Sequence, residues 1–200
     1  MGTLDRAASI EDLRRIAKRR VPRFAFDFID GGAESETGMR ENEAAFRRIR
    51  LTPRYLVDVS DIQLETTVFG ATYGAPFGLT TIGFLNVAGP GSDLAWARLA
   101  ARRRIPHVIS THCSTPLEPV AEAADGIAWF QLYASTNLEL RESMLGRAEA
   151  AGCRVLVVTV DVPSSGIRDR DRRNEAAMPF RFTPRIALDL ALHPVWALST

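Results

Sequence analysis

The chain has 200 residues, 46% hydrophobic and 24% charged, with a formal net charge of +1. It is long enough to bury about 70% of its unfolded surface, and a near-neutral balance gives no broad basic face for nucleic acid. Cys113 and Cys153 stand in no CxxC or metal-ligand spacing, which excludes a disulfide framework and favours a reducing compartment. No run reaches the roughly 18 apolar residues of a membrane-crossing helix, and Met1-Gly2-Thr3-Leu4-Asp5-Arg6 has no apolar leader core. The expectation is a cytoplasmic protein, or one held peripherally on the inner face of the cell membrane.

In chain order, Ser9-Ile10-Glu11-Asp12 reads as a capped helix start, followed by an apolar stripe of Ile10, Leu13, Ile16 and Ala17. Pro22 suits the first turn of a second short helix carrying Phe24, Phe26 and Phe28, which Gly31-Gly32 ends. A third helix is expected from Glu36 to Arg47. Residues 66–73 read as a small hairpin turning at Gly70.

From Pro76 the rhythm changes. Phe77-Gly78-Leu79-Thr80 reads as a short buried strand, Ser92 to Arg104 as a helix, and His107-Val108-Ile109-Ser110 as the next strand. Thr115-Pro116-Leu117-Glu118 has the form of a capping box with proline at the first helical position. Ile127 to Tyr133 is a third strand. Asn137 caps a helix whose Leu140, Met144, Leu145 and Ala148 share a face, and Arg154 to Val160 is a fourth strand.

Strands alternating with helices imply a parallel sheet. No Gly-x-Gly-x-x-Gly follows any strand, so a barrel is preferred to an open dinucleotide-binding sheet. Three strands end in polar or aromatic residues: Ser110-Thr111, Gln131-Leu132-Tyr133 and Thr159-Val160-Asp161. Polar C-terminal strand ends are how a barrel builds its active-site rim. The last of these runs on through Gly166-Ile167-Arg168-Asp169-Arg170-Asp171, which a solvent-exposed turn would also supply. Four such units precede Thr200, whereas a barrel needs eight and about 250 residues; the chain therefore reads as truncated. The expected division is a helical segment and hairpin over 1–75, the first half of a barrel over 76–176, and an apolar-basic segment over 177–200.

The chain resembles the FMN-dependent α-hydroxy-acid dehydrogenase and oxidase family. The resemblance rests on Phe26-Asp27-Phe28-Ile29-Asp30-Gly31-Gly32-Ala33-Glu34, Leu51-Thr52-Pro53-Arg54 and Leu64-Glu65-Thr66-Thr67. It continues through Trp129-Phe130-Gln131-Leu132-Tyr133, Leu156 to Pro163, and Gly166 to Asp171. It implies an α/β fold, the (β/α)8 TIM barrel, with FMN at its C-terminal mouth and oxidation of an L-2-hydroxy acid such as lactate, mandelate or glycolate. It assigns Thr81, Ile82 and Gly83 to the flavin through their backbone, and Ser110, Gln131 and Thr159 to the flavin's polar contacts. Tyr133 would steady the developing charge on the substrate oxygen, and Arg168 would bind the substrate carboxylate. Asp161 would orient a catalytic histidine. The alternatives are strand-end capping for Gln131 and Thr159, a packed aromatic for Tyr133, and an ion pair with Asp169 or Asp171 for Arg168.

Three positions depart from the family pattern. Ile82 stands where the family has threonine, Phe28 where it has a tyrosine touching the substrate carboxylate, and His112 where glycolate oxidases carry tryptophan. The family's catalytic histidine, second carboxylate-binding arginine, flavin lysine and phosphate site come from later strands; His107 and His193 are not in its base motif. The 200 residues alone are thus expected to be inactive. Residues 178–196 are apolar with interspersed arginine, which suits either a membrane interface or packing over the barrel mouth. The resemblance also implies a homo-oligomer at full length and an electron acceptor that is a quinone, a cytochrome or oxygen. A non-catalytic half-barrel that dimerises or scaffolds is the reading from another class.

Overall fold

Ser9 opens the first helix by accepting a hydrogen bond from the Asp12 N–H at 3.1 Å, while the Asp12 carboxylate accepts from the Ser9 N–H at 3.0 Å. This reciprocal box fixes the start of α1 in a computed structural model that describes residues 4–160, 164, 166–176 and 182–199. The elements that follow α1 (Ile10–Arg20) are α2 (Arg23–Asp30), α3 (Thr37–Arg48), β1 (Thr66–Val68), β2 (Ala71–Tyr73) and α4 (Ser92–Arg103). Then come β3 (His107–Ile109), α5 (Leu117–Ala123), β4 (Ala128–Tyr133), α6 (Leu138–Ala150) and β5 (Leu156–Thr159). Last are α7 (Asp169–Arg173), α8 (Pro184–Leu192) and α9 (Pro194–Ser199). Two units emerge, one made of residues 1–55, 87–90 and 164–200, the other of 56–86 and 91–163.

The second unit holds the sheet. β3, β4 and β5 pair in that order, all parallel, with Ile109 opposite Phe130 and Tyr133 opposite Thr159. β4 is buried on both faces over Phe130, Gln131 and Leu132, which explains its near-continuous apolar run. Ile109, Val120, Phe130, Leu132 and Ala148 are among the residues that form the core between the sheet and α4, α5 and α6. β5 is less covered, with Leu156 46% and Val158 47% exposed.

The expected strand over residues 77–80 shrinks to a single parallel bridge from Leu79 to His107. Pro76 and Pro106 lack the N–H groups a longer ladder needs, and a side chain at Gly78 would meet the Pro106 carbonyl oxygen at 2.7 Å. The capping box expected at Thr115 is also absent. The Thr115 hydroxyl accepts from the Asn86 side chain at 3.1 Å instead, and Pro116 is the N-cap of α5, which has no side-chain cap. The hairpin forms as read: Phe69 (φ 50) and Gly70 (φ 77) link β1 and β2, a two-residue turn whose twist suits paired strands. Phe69 adopts a conformation unusual for a bulky residue, and its ring packs edge-on against Trp129 at 5.6 Å.

Asn137 caps α6, accepting from the Leu140 N–H at 3.0 Å. Met144 and Leu145 pack on the core and Ala148 is buried, while Leu140 is turned out at 51% exposure. Asn137→Ala is therefore expected to lower stability by about 1 kcal/mol, and Leu140→Ala to stay within about 0.5 kcal/mol. Urea titrations of both variants check this; equal losses would contradict it.

His107 supplies a pH signature. Its ring is buried, Nδ1 has no hydrogen-bond partner among the described residues, and burial pushes its pKa below the ordinary 6.5, with Asp93 acting the other way. Near pH 6.5 the unfolded chain takes up a proton that the folded chain resists. The contribution of neutral His107 is thus full above that pH and declines as pH falls, by at most about 1.4 kcal/mol per pH unit. His107→Asn is expected to flatten the stability profile between about pH 6.5 and 5; a slope identical to that of the unaltered protein would contradict the burial argument.

In the first unit, α2 is started by Pro22 and stopped by Gly31, with Ala25 and Phe26 buried. The α1 stripe is only partly used, because Ile10 is 81% exposed and Leu13 41%. Phe24 bonds through its N–H to the Asp189 carboxylate of α8 at 3.2 Å, and Ile186 of α8 is buried. No helix among the described residues is long and apolar enough to cross a membrane.

Candidate active site

Parallel pairing brings the C-terminal ends of β3, β4 and β5 to one edge of the sheet, so Ser110, Gln131, Tyr133 and Thr159 share that edge. Gln131 is 2% exposed, and a buried amide needs partners for both its donor and acceptor. Its Nε2 donates to the Thr159 hydroxyl at 2.7 Å, and its Oε1 accepts from the Thr111 N–H at 3.3 Å. The Thr111 hydroxyl donates to the Gln131 carbonyl at 2.6 Å and accepts from the Tyr133 N–H at 3.2 Å. Thr111 is thereby the hub joining two strand ends, a role its sequence position beside Ser110 hints at without showing.

The loop carrying Thr81, Ile82 and Gly83 closes against the end of β3. A side chain at Gly83 would approach the His112 Cβ at 3.2 Å and the Ser110 hydroxyl at 3.7 Å, so this close approach favours glycine. Phe84 follows with φ 54 and donates its N–H to the His112 carbonyl at 2.8 Å. Ser110 accepts from the His112 N–H at 3.0 Å. The rings of Phe84, His112 and Tyr133 then follow one another at 5.7 and 5.1 Å. Tyr133 is 40% exposed, so it is reachable from solvent. This edge combines hydroxyl and amide groups with aromatic faces, an arrangement that could take a planar ring with a polar rim.

Behind it lies a polar clasp that the sequence reading missed. Asp93 in the first turn of α4 is 3% exposed; it accepts from the Thr115 N–H at 2.9 Å and donates its own N–H to Asn86 at 3.1 Å. The clasp ties the loop after β3 to α4. Cys113 is packed beside it, and burial above all pushes its thiol up to about 11, which removes it as a nucleophile at neutral pH.

Phe28 and Arg168 belong to the first unit. Arg168 Nε donates to the Asp171 carboxylate at 2.7 Å, Nη2 donates to the Phe28 carbonyl, and the guanidinium lies over the Phe28 ring with its carbon 5.2 Å from the centroid. The ion pair with Asp171 is thus present. Arg170 beside it bonds Asp30 at 2.7 Å and Glu36 at 2.5 Å, and Asn174 bonds Asp27 at 2.7 Å, which staples α7 to α2. The Arg14 guanidinium, with Arg170 behind it, holds the Asp30 carboxyl below its ordinary value. Motif reading took Arg168 from this stretch and passed over Arg170, whose partners lie more than 130 residues away in sequence. Asp161 lies outside the described residues. His193 is occupied by the Asp189 carbonyl at 2.8 Å.

A parallel α/β sheet with a polar, aromatic-lined C-terminal edge fits part of a (β/α) barrel. Comparison with known proteins is specific: the family described as FMN-dependent dehydrogenase matches residues 17–200. The chain belongs to the FMN-dependent dehydrogenase family. It is 36% identical to (S)-mandelate dehydrogenase of Pseudomonas putida over 191 residues, 96% of this chain and 48% of that protein. It is 40% identical to a putative L-lactate dehydrogenase of Mycobacterium tuberculosis (strain ATCC 25618 / H37Rv) over 96% of this chain and 47% of that one. Among solved structures, the monotopic membrane protein (S)-mandelate dehydrogenase superposes with a TM-score of 0.89 at 36% identity, covering 97% of this chain and 52% of that chain. The chain therefore spans about half the length of the curated relatives it matches.

Proposed function

We propose that the protein carrying this chain oxidises an L-2-hydroxy acid of the lactate, mandelate or glycolate type to the 2-oxo acid, using FMN and acting as a dehydrogenase. The observation that carries this reading is the Gln131–Thr159 hydrogen bond at 2.7 Å at the edge that also presents Ser110 and Tyr133. The names of the relatives support it. FMN, when bound, supplies the acceptor for the hydrogen removed from the substrate carbon. Gln131, Thr159 and Ser110 would hold the flavin's polar rim, and the backbone of Thr81, Ile82 and Gly83 would lie against the ring. Tyr133 would donate to the substrate oxygen, Arg168 would bind the carboxylate, and Asp161 would orient the base.

Gln131→Leu removes both side-chain hydrogen bonds from a buried site. FMN affinity is expected to fall roughly tenfold, as the loss of about one net hydrogen bond from Gln131 to the flavin, with the loosening of Thr159 beside it, dictates. Flavin fluorescence titration checks it, and unchanged affinity would return Gln131 to strand-end capping.

The 200-residue chain on its own is proposed not to turn over. Of its three histidines, His107 is buried, His193 is committed to Asp189, and His112 is held between the rings of Phe84 and Tyr133 at a position the family resemblance does not assign to its base; losing general-base catalysis alone costs about 10²–10⁴-fold. Peripheral attachment to a membrane is also proposed; the exposed Leu188, Leu192, Val195 and Leu198 of α8 and α9 favour it. The half-covered apolar residues of β5 favour the second reading, a half-barrel that dimerises through this edge. The electron acceptor proposed with the leading reading is a quinone or cytochrome, and oxygen with its oxidase variant.

A further inference from the structure

We propose that Asp171 is a positioning residue that locks Arg168 so that the Nη1 end of its guanidinium, and not the Nε edge, meets the substrate carboxylate. This rests on the reading of Arg168 as the carboxylate-binding residue.

A guanidinium has five N–H donors and no acceptor, so which of them are taken decides how it can bind. Arg168 spends Nε on Asp171 at 2.7 Å and Nη2 on the backbone carbonyl of Phe28, and lays one face on the Phe28 ring. Nη1 has no partner among the described residues. Its backbone is fixed as well, since the Arg168 carbonyl accepts from the Arg172 N–H at 3.1 Å in the first turn of α7. The side chain of Arg168 is 35% exposed, whereas that of Asp171 is 9% exposed. Three N–H groups remain, two on Nη1 and one on Nη2; the Nη1 pair is the one left whole for a ligand, and its direction is set by a buried carboxylate.

The second oxygen of that carboxylate, Oδ1, is buried and has no hydrogen-bond partner among the described residues. A buried carboxylate with an unsatisfied oxygen is costly as a purely structural device. Arg170, in the same short helix α7, shows what a purely structural arginine looks like here: its guanidinium is spread over Asp27, Asp30 and Glu36. Among the described residues Arg168 has a single carboxylate partner, held at one edge.

The pairing also lowers the net charge that an incoming anion meets. Discrimination then rests on geometry, because a planar carboxylate can use a directed pair of N–H groups while a tetrahedral anion gains mostly from charge. Asp171→Asn frees the guanidinium to swing and raises the local positive charge, so the two kinds of anion should respond differently.

The test uses the FMN-loaded protein that carries this chain, with pyruvate, phenylglyoxylate and inorganic sulfate as probes in calorimetric titrations. The ratio of the tighter 2-oxo acid's affinity to that of sulfate is expected to fall at least tenfold in Asp171→Asn. Equal changes for both anions would mean that Asp171 acts through charge or stability alone, and would overturn the proposal. Loss of 2-oxo acid binding in Arg168→Met together with an unchanged ratio in Asp171→Asn would overturn it while leaving the Arg168 reading intact. Indifference of binding to Arg168→Met, or no binding by the unaltered protein, would overturn both. If Asp171→Asn does not fold, the unaltered protein decides: the Arg168 Nε–H should exchange with water far more slowly than those of exposed arginines such as Arg102, and exchange at their rate would overturn the lock.

Discussion

Arg168→Met in the protein that carries this chain is expected to weaken 2-hydroxy acid binding by about 100-fold or more, with little of the loss recovered at accessible substrate concentrations. A charge-assisted, two-point contact with a carboxylate is among the stronger polar interactions, and removing one partner of such a pair costs about 2–5 kcal/mol, at 1.4 kcal/mol per tenfold. Arg168→Lys should fall between, since an ammonium keeps the charge and loses the fork. Methionine also leaves Asp171 buried without its partner, which acts through folding. A thermal melt of each variant separates the two effects. A Michaelis constant unchanged on every accepted 2-hydroxy acid would reduce Arg168 to the ion pair it makes with Asp171.

Phe130→Ala is the substitution expected to cost most in stability. Phe130 is 2% exposed in the core of the second unit and pairs with Ile109 on one side and Leu156 on the other. Truncating a buried phenylalanine costs about 3–5 kcal/mol, a large part of the roughly 5–15 kcal/mol that holds a domain folded. The loss should extend to the site, because Gln131 is the next residue of β4 and depends on the strand for its register. Urea unfolding followed by tryptophan fluorescence would report it through Trp129. A loss below about 1 kcal/mol would mean that this core is not the packed interior its burial indicates.

What the sequence made legible was mostly local. The Ser9 box, the Asn137 cap and the turn at Phe69-Gly70 each depend on residues within a few positions of one another, and each forms. β4 was readable because a run buried on both faces is apolar almost throughout. The strand at residues 77–80 and the cap at Thr115 failed because distant groups compete for the same atoms. Pro106 cannot extend the ladder beside Leu79, and Asn86 and Asp93 take the two groups of Thr115. At the site, the residue types at the strand ends were visible, whereas their connection through Thr111 and the clasp at Asp93 were not. Those bonds join residues about 20 positions apart, which no spacing rule announces. Arg168 was drawn from its motif, and its ion pair with Asp171 was one of the two alternatives read there; its bond to the Phe28 carbonyl needed the fold, since Phe28 lies 140 residues earlier.

Anaerobic flavin bleaching tests the central claim most directly. FMN-loaded protein carrying this chain is mixed with lactate, (S)-mandelate and glycolate in the absence of oxygen, and the flavin absorbance is followed. At least one of the three acids should bleach the flavin, and Arg168→Met should abolish that bleaching at concentrations that saturate the unaltered protein. A flavin that stays oxidised with all three acids, or bleaching that Arg168→Met leaves untouched, would contradict the account.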